Sequence, residues 1–326
     1  MIITRTPLRI SFAGGGSDLK EYYLKYGGSV LSTSIDKYIY LSMHPYFNAT
    51  KYFLKYSQNE LVDNVKDIDH KIIRQVFKDY DISGVDFNSS ADIPSGTGLG
   101  SSSSFTVGLA KLCSAYNSKY MDSEEIAKYA CEVEIEKLME PIGKQDQYAC
   151  AIGGLNFIEF CQDGKVIAEK IILEKNRLQL LQDNLLMFYL GNTRSASNIL
   201  SEQKKNTIND DKKVENIHKM VKLSVELKNE LLSGNIDAMG DVLHRGWMYK
   251  KELASKISNE KIDKYYDLAI KNGALGGKLL GAGGGGFLLF YAAEENHPKI
   301  RKALINLEEL NFNFSFEGTK LLHYDN

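Results

Sequence analysis

The chain of 326 residues is poor in proline and cysteine, with five of the first and four of the second. So little proline, in a composition 43% hydrophobic and 25% charged, excludes a collagen-like or low-complexity chain and describes an ordinary globular protein. The cysteines, Cys113, Cys131, Cys150 and Cys161, form no CxxC pair and have no histidine at zinc spacing. They are expected to be reduced, mostly buried thiols of a cytoplasmic protein. A surplus of charge is also missing. Forty basic against 42 acidic residues leave a formal −2, which excludes a global attraction to nucleic acid or anionic lipid. Any anion must therefore be held locally. The longest uncharged apolar stretch, 279–293, is too short to span a membrane and is broken by five glycines. The N-terminal segment sets Arg5 and Arg9 among its apolar residues, unlike a signal peptide.

Glycine, by contrast, is plentiful and clustered: 13 of 27 fall in the stretches 14–16, 96–100 and 276–286. Between them, period-two alternation predicts strands in 1–12, 28–46, 52–57, 84–90, 155–160 and 165–173. Helical spacing predicts helices over 17–26, capped by Ser17 or Asp18, and over 69–80, 101–115 and 123–138. After residue 175 the texture changes to longer polar helices at 195–205, 212–232, 235–254 and 259–272, with strands near 185–190, 286–292 and 312–317. Residues 204–213 read as a solvated loop. Strands and helices mix without a regular βαβ beat, so the fold expected is α+β in two domains, 1–175 and 176–326.

The middle glycine stretch, Ile93-Pro-Ser-Gly-Thr-Gly-Leu-Gly-Ser-Ser-Ser-Ser104, runs straight into an apolar helix. Alternating glycines let backbone approach a ligand, and the helix start offers free N–H groups at its positive end: a phosphate cradle. A serine-capped helix after an ordinary loop fits the same residues. No Walker A motif exists, since Gly277-Lys278, Gly143-Lys144 and Gly164-Lys165 all lack the following Ser or Thr. HRD and DFG are absent too. Gly281 to Gly286 matches GxGxxG, but a strand pattern follows where dinucleotide binding requires a helix. That stretch instead suggests a loop packed tightly against another backbone or a ligand, with the middle stretch as a candidate.

Arg9 sits on the first predicted strand and Asp18 at the start of a helix. Arginine can neutralise a transferring phosphoryl group and a carboxylate can accept from sugar hydroxyls, while a structural ion pair and a helix cap suit the same two residues. Further carboxylates lie in Cys131-Glu-Val-Glu-Ile-Glu136 and Gly143-Lys-Gln-Asp-Gln147. Glu132 and Glu136 share a helix face, whereas Glu134 points elsewhere. Glu134 and Asp146 are candidates for holding Mg²⁺ and for orienting an attacking hydroxyl.

Taken together, the residues from Pro7 to Asp18, PxGxGLGSSS from Pro94, and KLLGAGGGGF from Lys278 resemble the three ordered motifs of the GHMP small-molecule kinases. The resemblance spans nearly the whole chain. It implies a two-domain α+β kinase with its active site in the cleft, using ATP and Mg²⁺. Pro94, Ser95, Gly96, Thr97, Gly98, Leu99, Gly100, Ser101, Ser102 and Ser103 would wrap the ATP phosphates, with Ser102 and Glu134 as Mg²⁺ ligands. Asp146 would be the catalytic carboxylate with Arg9 balancing charge, and Gly14, Gly15, Gly16, Ser17 and Asp18 would meet the substrate. Gly15-Gly16 replaces the Glu-His of galactokinases, which argues against galactose.

The Phe-Ala-Gly-Gly-Gly-Ser-Asp motif is similar to that of kinases acting at an anomeric carbon, the fucokinase-like and heptose 7-phosphate enzymes. The compact length, Gly143 to Gln147, Gly191 to Ser197 and Trp247 to Lys251 look most like the heptose branch. That implies a sugar phosphate and ATP as partners, for surface-glycan synthesis, with neither nucleic acid nor membrane, in a monomer or homodimer. A phosphorylated sugar needs a second anion site, for which Thr193, Arg194, Lys250 and Lys251 are candidates, with Lys55 in reserve and Gly283 in the wall. An unphosphorylated sugar such as L-fucose, or a non-catalytic sensing role, are the alternatives.

Overall fold

The period-two segments pair into one large sheet, as their alternation demands. β1 (Ile2–Ala13) runs antiparallel to β2 (Gly28–Pro45) along nearly its whole length. The computed structural model describes residues 1–191 and 196–325, the side chains of 196 and 197 excepted. β3 (Tyr52–Lys55), β4 (Asn59–Val62), β5 (Val85–Ala91), β6 (Leu155–Phe160) and β7 (Val166–Lys170) extend the sheet. β2 is long enough to serve two neighbours, pairing with β6 through 28–33 and with β5 through 39–45. A second, antiparallel sheet has the order β11 (Glu308–Glu309), β8 (Leu185–Tyr189), β10 (Phe287–Tyr291), β9 (Gly276–Leu279). The last strand, β12 (Lys320–Tyr324), returns to the first sheet beside β1.

Eleven α-helices cover these sheets among the described residues: α1 (Lys20–Tyr26), α2 (Lys71–Asp79), α3 (Ser101–Tyr116), α4 (Ser123–Cys131), α5 (Gln145–Ile152), α6 (Lys175–Asp183), α7 (Ala196–Asn209), α8 (Asp211–Ser233), α9 (Ala238–Lys251), α10 (Glu260–Lys271) and α11 (His297–Ala303). The architecture is the expected α+β. None of these helices is long and apolar enough to cross a membrane. All four cysteines are unpaired, three of them buried. One apolar cluster joins Leu8 and Ile10 of β1 to Leu223, Met239 and Leu289 of the second half, so burial couples the two sheets.

Four local expectations are corrected. The helix over 123–138 breaks after Cys131 into a π-helical turn, Glu132–Lys137, marked by the Leu138 N–H donating to Val133 O at 2.9 Å. Residues 312–317 alternate like a strand but make one bridge, Phe314 to Ile35, because only the short gap on β2 between its partners β6 and β5 is open to them. The stretch 204–213 is no loop; it is the end of α7 and the start of α8, capped by Asp210. Neither Ser17 nor Asp18 caps α1, whose N-cap is Leu19. The Ser17 hydroxyl instead donates to Gly14 O at 2.8 Å, and Asp18 turns inward.

Candidate active site

Gly96, Gly98 and Gly100 take φ of 76°, 89° and 75°, a region side chains rarely occupy, and this folds the middle stretch back on itself. Gly100 is the N-cap of α3, and no side chain caps it. The serines are otherwise engaged: Ser104 donates to Thr6 O and Ser102 to Glu134. The first-turn N–H groups therefore stay open to an anion at the positive end of a 16-residue helix. Behind the loop lies the third stretch. A Cβ on Gly281 would stand 2.4 Å from Gly98 Cα, and one on Gly286 2.3 Å from Thr97 O. The packing of backbone on backbone is thus the reason for that glycine run.

Arg9 ties this loop to α5. Its backbone N–H donates to Leu99 O at 3.0 Å and its Nη1 to Gly98 O at 2.7 Å. Its Nε and Nη2 form a two-pronged pair with the Asp146 carboxylate, both at 2.6 Å. Asp18 lies nearby, accepting from Gly16 N at 3.1 Å and from the Gln145 amide Nε2 at 3.0 Å. Burial, then the Asp146 charge, push the Asp18 carboxyl up. Gly143 makes room for it, since a Cβ there would lie 2.0 Å from Asp18 Oδ2.

The π-helical turn explains Glu134. By lengthening one turn it sends Glu134 inward, 1% exposed, while Glu132 and Glu136 stay outside. Glu134 accepts from Ser102 Oγ and from Gln147 Nε2, both at 2.7 Å. Burial pushes its carboxyl up to about 7 against those two bonds. The unfolded carboxyl titrates near 4.5, so between 4.5 and 7 the folded chain keeps a proton that the unfolded chain has lost. Stability should therefore fall as pH rises through that window, by on the order of 3 kcal/mol. Glu134→Gln should remove this slope, and thermal unfolding of the two proteins at a series of pH values checks it; parallel curves would refute the assignment.

Two cavities meet at the Arg9–Asp146 pair. The larger, about 920 Å³, is lined by Pro94, Ser95, Gly96, Gly98, Gly100, Ser101, Ser102, Ser103 and Glu134, with Tyr56, His70, Ile72 and Phe105 at an aromatic and apolar end. Thr97 and Leu99 are buried beneath the loop and do not line it. The smaller, about 110 Å³, is lined by Ser11, Gly15, Gly16, Asp18, Gln145, Gln203, Lys250 and Lys278. Gly14 and Ser17 shape the turn from behind, and Gly283 lines the larger cavity instead. Lys251 is drawn off to Asp263 at 3.4 Å and Lys55 to Asp86 at 2.8 Å, so neither joins the smaller cavity. Thr193 and Arg194 lie outside the described residues.

Lys278 went unnoticed in the sequence, where lysine ordinarily signals exposure. It is 6% exposed, and its Nζ donates to Ser11 O at 2.8 Å and Phe12 O at 3.0 Å, bridging the second half to β1. Lys250 donates to Leu279 O at 2.9 Å and to Gly281 O at 2.5 Å. Burial, then the neighbouring cations, press both amines downward, Lys250 to about 7. An anion entering beside them would favour their charged forms. The described residues contain no group of three His, Cys, Asp or Glu side chains able to hold a metal. Ser102 Oγ and Glu134, 2.7 Å apart on the wall of the larger cavity, are oxygen donors of the kind a hard cation takes.

This arrangement belongs to a known class. The GHMP kinases N terminal domain matches residues 53–154 and the GHMP kinases C terminal domain residues 227–307. The chain belongs to the GHMP kinases, phosphotransferases that draw on ATP. It is 33% identical to the D-glycero-alpha-D-manno-heptose 7-phosphate kinase of Campylobacter jejuni, over 98% of each chain. Among solved structures it is similar to a putative sugar kinase of the same organism, at 29% identity and a TM-score of 0.77, covering 98% of this chain and 97% of that one. A D-glycero-D-manno-heptose 1-phosphate kinase from Bacteroides thetaiotaomicron shares the fold over the full length of both chains, with a TM-score of 0.81 at 24% identity.

Proposed function

We propose that this sugar kinase transfers the γ-phosphoryl group of ATP to the anomeric C1 hydroxyl of D-glycero-D-manno-heptose 7-phosphate, giving the 1,7-bisphosphate. The observation that carries the reading is the meeting of a nucleotide-sized cavity and a smaller one, walled by Asp18, Gln145, Lys250 and Lys278 together with apolar side chains, at Arg9 and Asp146. The identity with the Campylobacter jejuni enzyme supports heptose 7-phosphate as the acceptor. Residues 1–175 would carry the nucleotide loop and the Arg9–Asp146 pair, and residues 176–326 the glycine wall and Lys250.

In this reading the base lies at the aromatic end against Tyr56, His70 and Phe105, and the phosphates lie on the open N–H groups of α3. Ser102 and Glu134 would hold Mg²⁺, which when bound neutralises phosphate charge. Asp146, fixed in orientation by the Arg9 fork, accepts the C1 hydroxyl proton as the oxygen attacks the γ-phosphorus in line and ADP departs. Arg9 then faces the charge developing on the transferred group. Lys250, with Lys278 behind it, offers the cationic wall for the acceptor's own phosphate.

A coupled ADP-release assay tests this with heptose 7-phosphate, the free heptose, L-fucose, mannose and galactose in parallel. Turnover should be highest by at least tenfold in kcat/KM with heptose 7-phosphate, and phosphorus NMR should report a new anomeric phosphate. A clear preference for L-fucose or for any unphosphorylated sugar would overturn the substrate assignment.

A further inference from the structure

Buried polar atoms normally find a hydrogen-bond partner, so those that do not point to something that arrives later. Among the described residues six side-chain atoms are buried without a partner: Ser11 Oγ, Ser32 Oγ, Gln145 Oε1, Gln147 Oε1, Asn156 Oδ1 and Trp247 Nε1. Only Ser11 and Gln145 line the smaller cavity, and the other four line neither cavity. The coincidence selects them.

Their positions are set by the reacting pair. Ser11 follows Arg9 by two residues on β1, the spacing that keeps side chains on one face of a strand. Gln145 immediately precedes Asp146 at the start of α5. The two flank Gly15, where an added Cβ would lie 3.9 Å from Ser11 Oγ and 3.9 Å from Gln145 Nε2. Gln145 cannot turn its amide to suit itself. Its Nε2 donates to Asp18 Oδ2 at 3.0 Å and its backbone N–H to the same oxygen at 3.3 Å, which fixes Oε1 as an acceptor lacking a donor. With Asp18 beside it, this wall asks for hydroxyl groups.

We infer that Ser11 and Gln145 are specificity-determining residues that read a hydroxyl carried close to the reacting carbon, which donates to Gln145 Oε1 and pairs with Ser11 Oγ. The inference rests on the kinase reading above and deepens it: the acceptor is a polyol with a hydroxyl at that place, and a deoxy or alkyl-substituted analogue is rejected because two buried polar atoms would stay unpaired.

Ser11→Ala is the cleaner test, since its Oγ has no partner to lose in the free protein. The melting temperature should stay level or rise slightly and the KM for ATP should hold. The KM for the acceptor should rise roughly 10- to 100-fold, with a smaller change in kcat. A series of acceptors each lacking one hydroxyl adds a readout that a merely structural role would not move. One member should be poor with the wild-type protein and no poorer with Ser11→Ala, the two losses failing to add. An unchanged acceptor KM in Ser11→Ala, or fully additive losses for every deoxy acceptor, overturns the inference while the kinase reading stands. No turnover of any sugar by the wild-type protein overturns both.

Discussion

Asp146→Asn should cut kcat roughly a thousandfold while leaving the dissociation constant for ATP within a few fold. The carboxylate receives two guanidinium N–H groups, one on each oxygen, and an amide presents an oxygen to only one of them. Its NH2 would face a second donor, so the fork opens and the group that orients the hydroxyl turns away. Arg9 keeps its other anchors on Gly98 O and Leu99 O, so the loop around the phosphates should persist. Arg9 is 5% exposed, and removing its counter-charge should also cost stability, on the order of 3 kcal/mol. Single-turnover rates, calorimetric ATP titration and a melting curve on the same preparation separate these effects. Wild-type turnover by this variant would remove Asp146 from the chemistry.

Gly98→Ala should be the most damaging methyl group that can be added to the nucleotide loop. The new Cβ would stand 2.6 Å from Leu280 O and 2.9 Å from Leu280 C, both backbone atoms with no rotamer to retreat into. Positive φ adds about 1 kcal/mol. Because Gly98 O also receives Arg9 Nη1, any shift of the loop passes to the Arg9–Asp146 pair. Gly164→Ala supplies the control, with a φ of 86° against 89° at Gly98 but nothing within 4 Å of its Cβ. It carries the backbone strain without the collision. Gly164→Ala should lower the melting temperature by a few degrees at most, whereas Gly98→Ala should lower it further and weaken ATP at least 30-fold. Equal behaviour of the two variants would mean that the loop has room, contrary to the contact with Gly281.

What could be read beforehand depended on whether a residue type is restrictive. Glycine in clusters is restrictive, so the loop 96–100 was legible as a close approach of backbone, whereas for 281–286 the sequence left both another backbone and a ligand open as the neighbour. Arg9, Asp18, Glu134 and Asp146 were legible as candidates, but the pairing of Arg9 with Asp146 joins residues 137 apart and belongs to the tertiary fold. The π-helical turn was not legible, since one extra residue in a turn leaves the surrounding apolar spacing intact. Lys278 hid behind the ordinary habit of lysine. Ser11 and Gln145 could not be found from sequence at all, because lacking a partner is a property of surroundings rather than of the residue.

The return of β12 to the first sheet bears on the order in which the protein is made. Residues 2–5 pair with 320–324, so that edge of β1 stays bare on the ribosome until residues 320–324 have emerged. An open edge is a template for strand pairing between molecules. Ending the chain at residue 318 should therefore appear first as light scattering and low soluble yield, and only afterwards as a loss of turnover per folded molecule. The strand β12 acts as a time stamp, closing that edge of β1 only after the residues between them have been made.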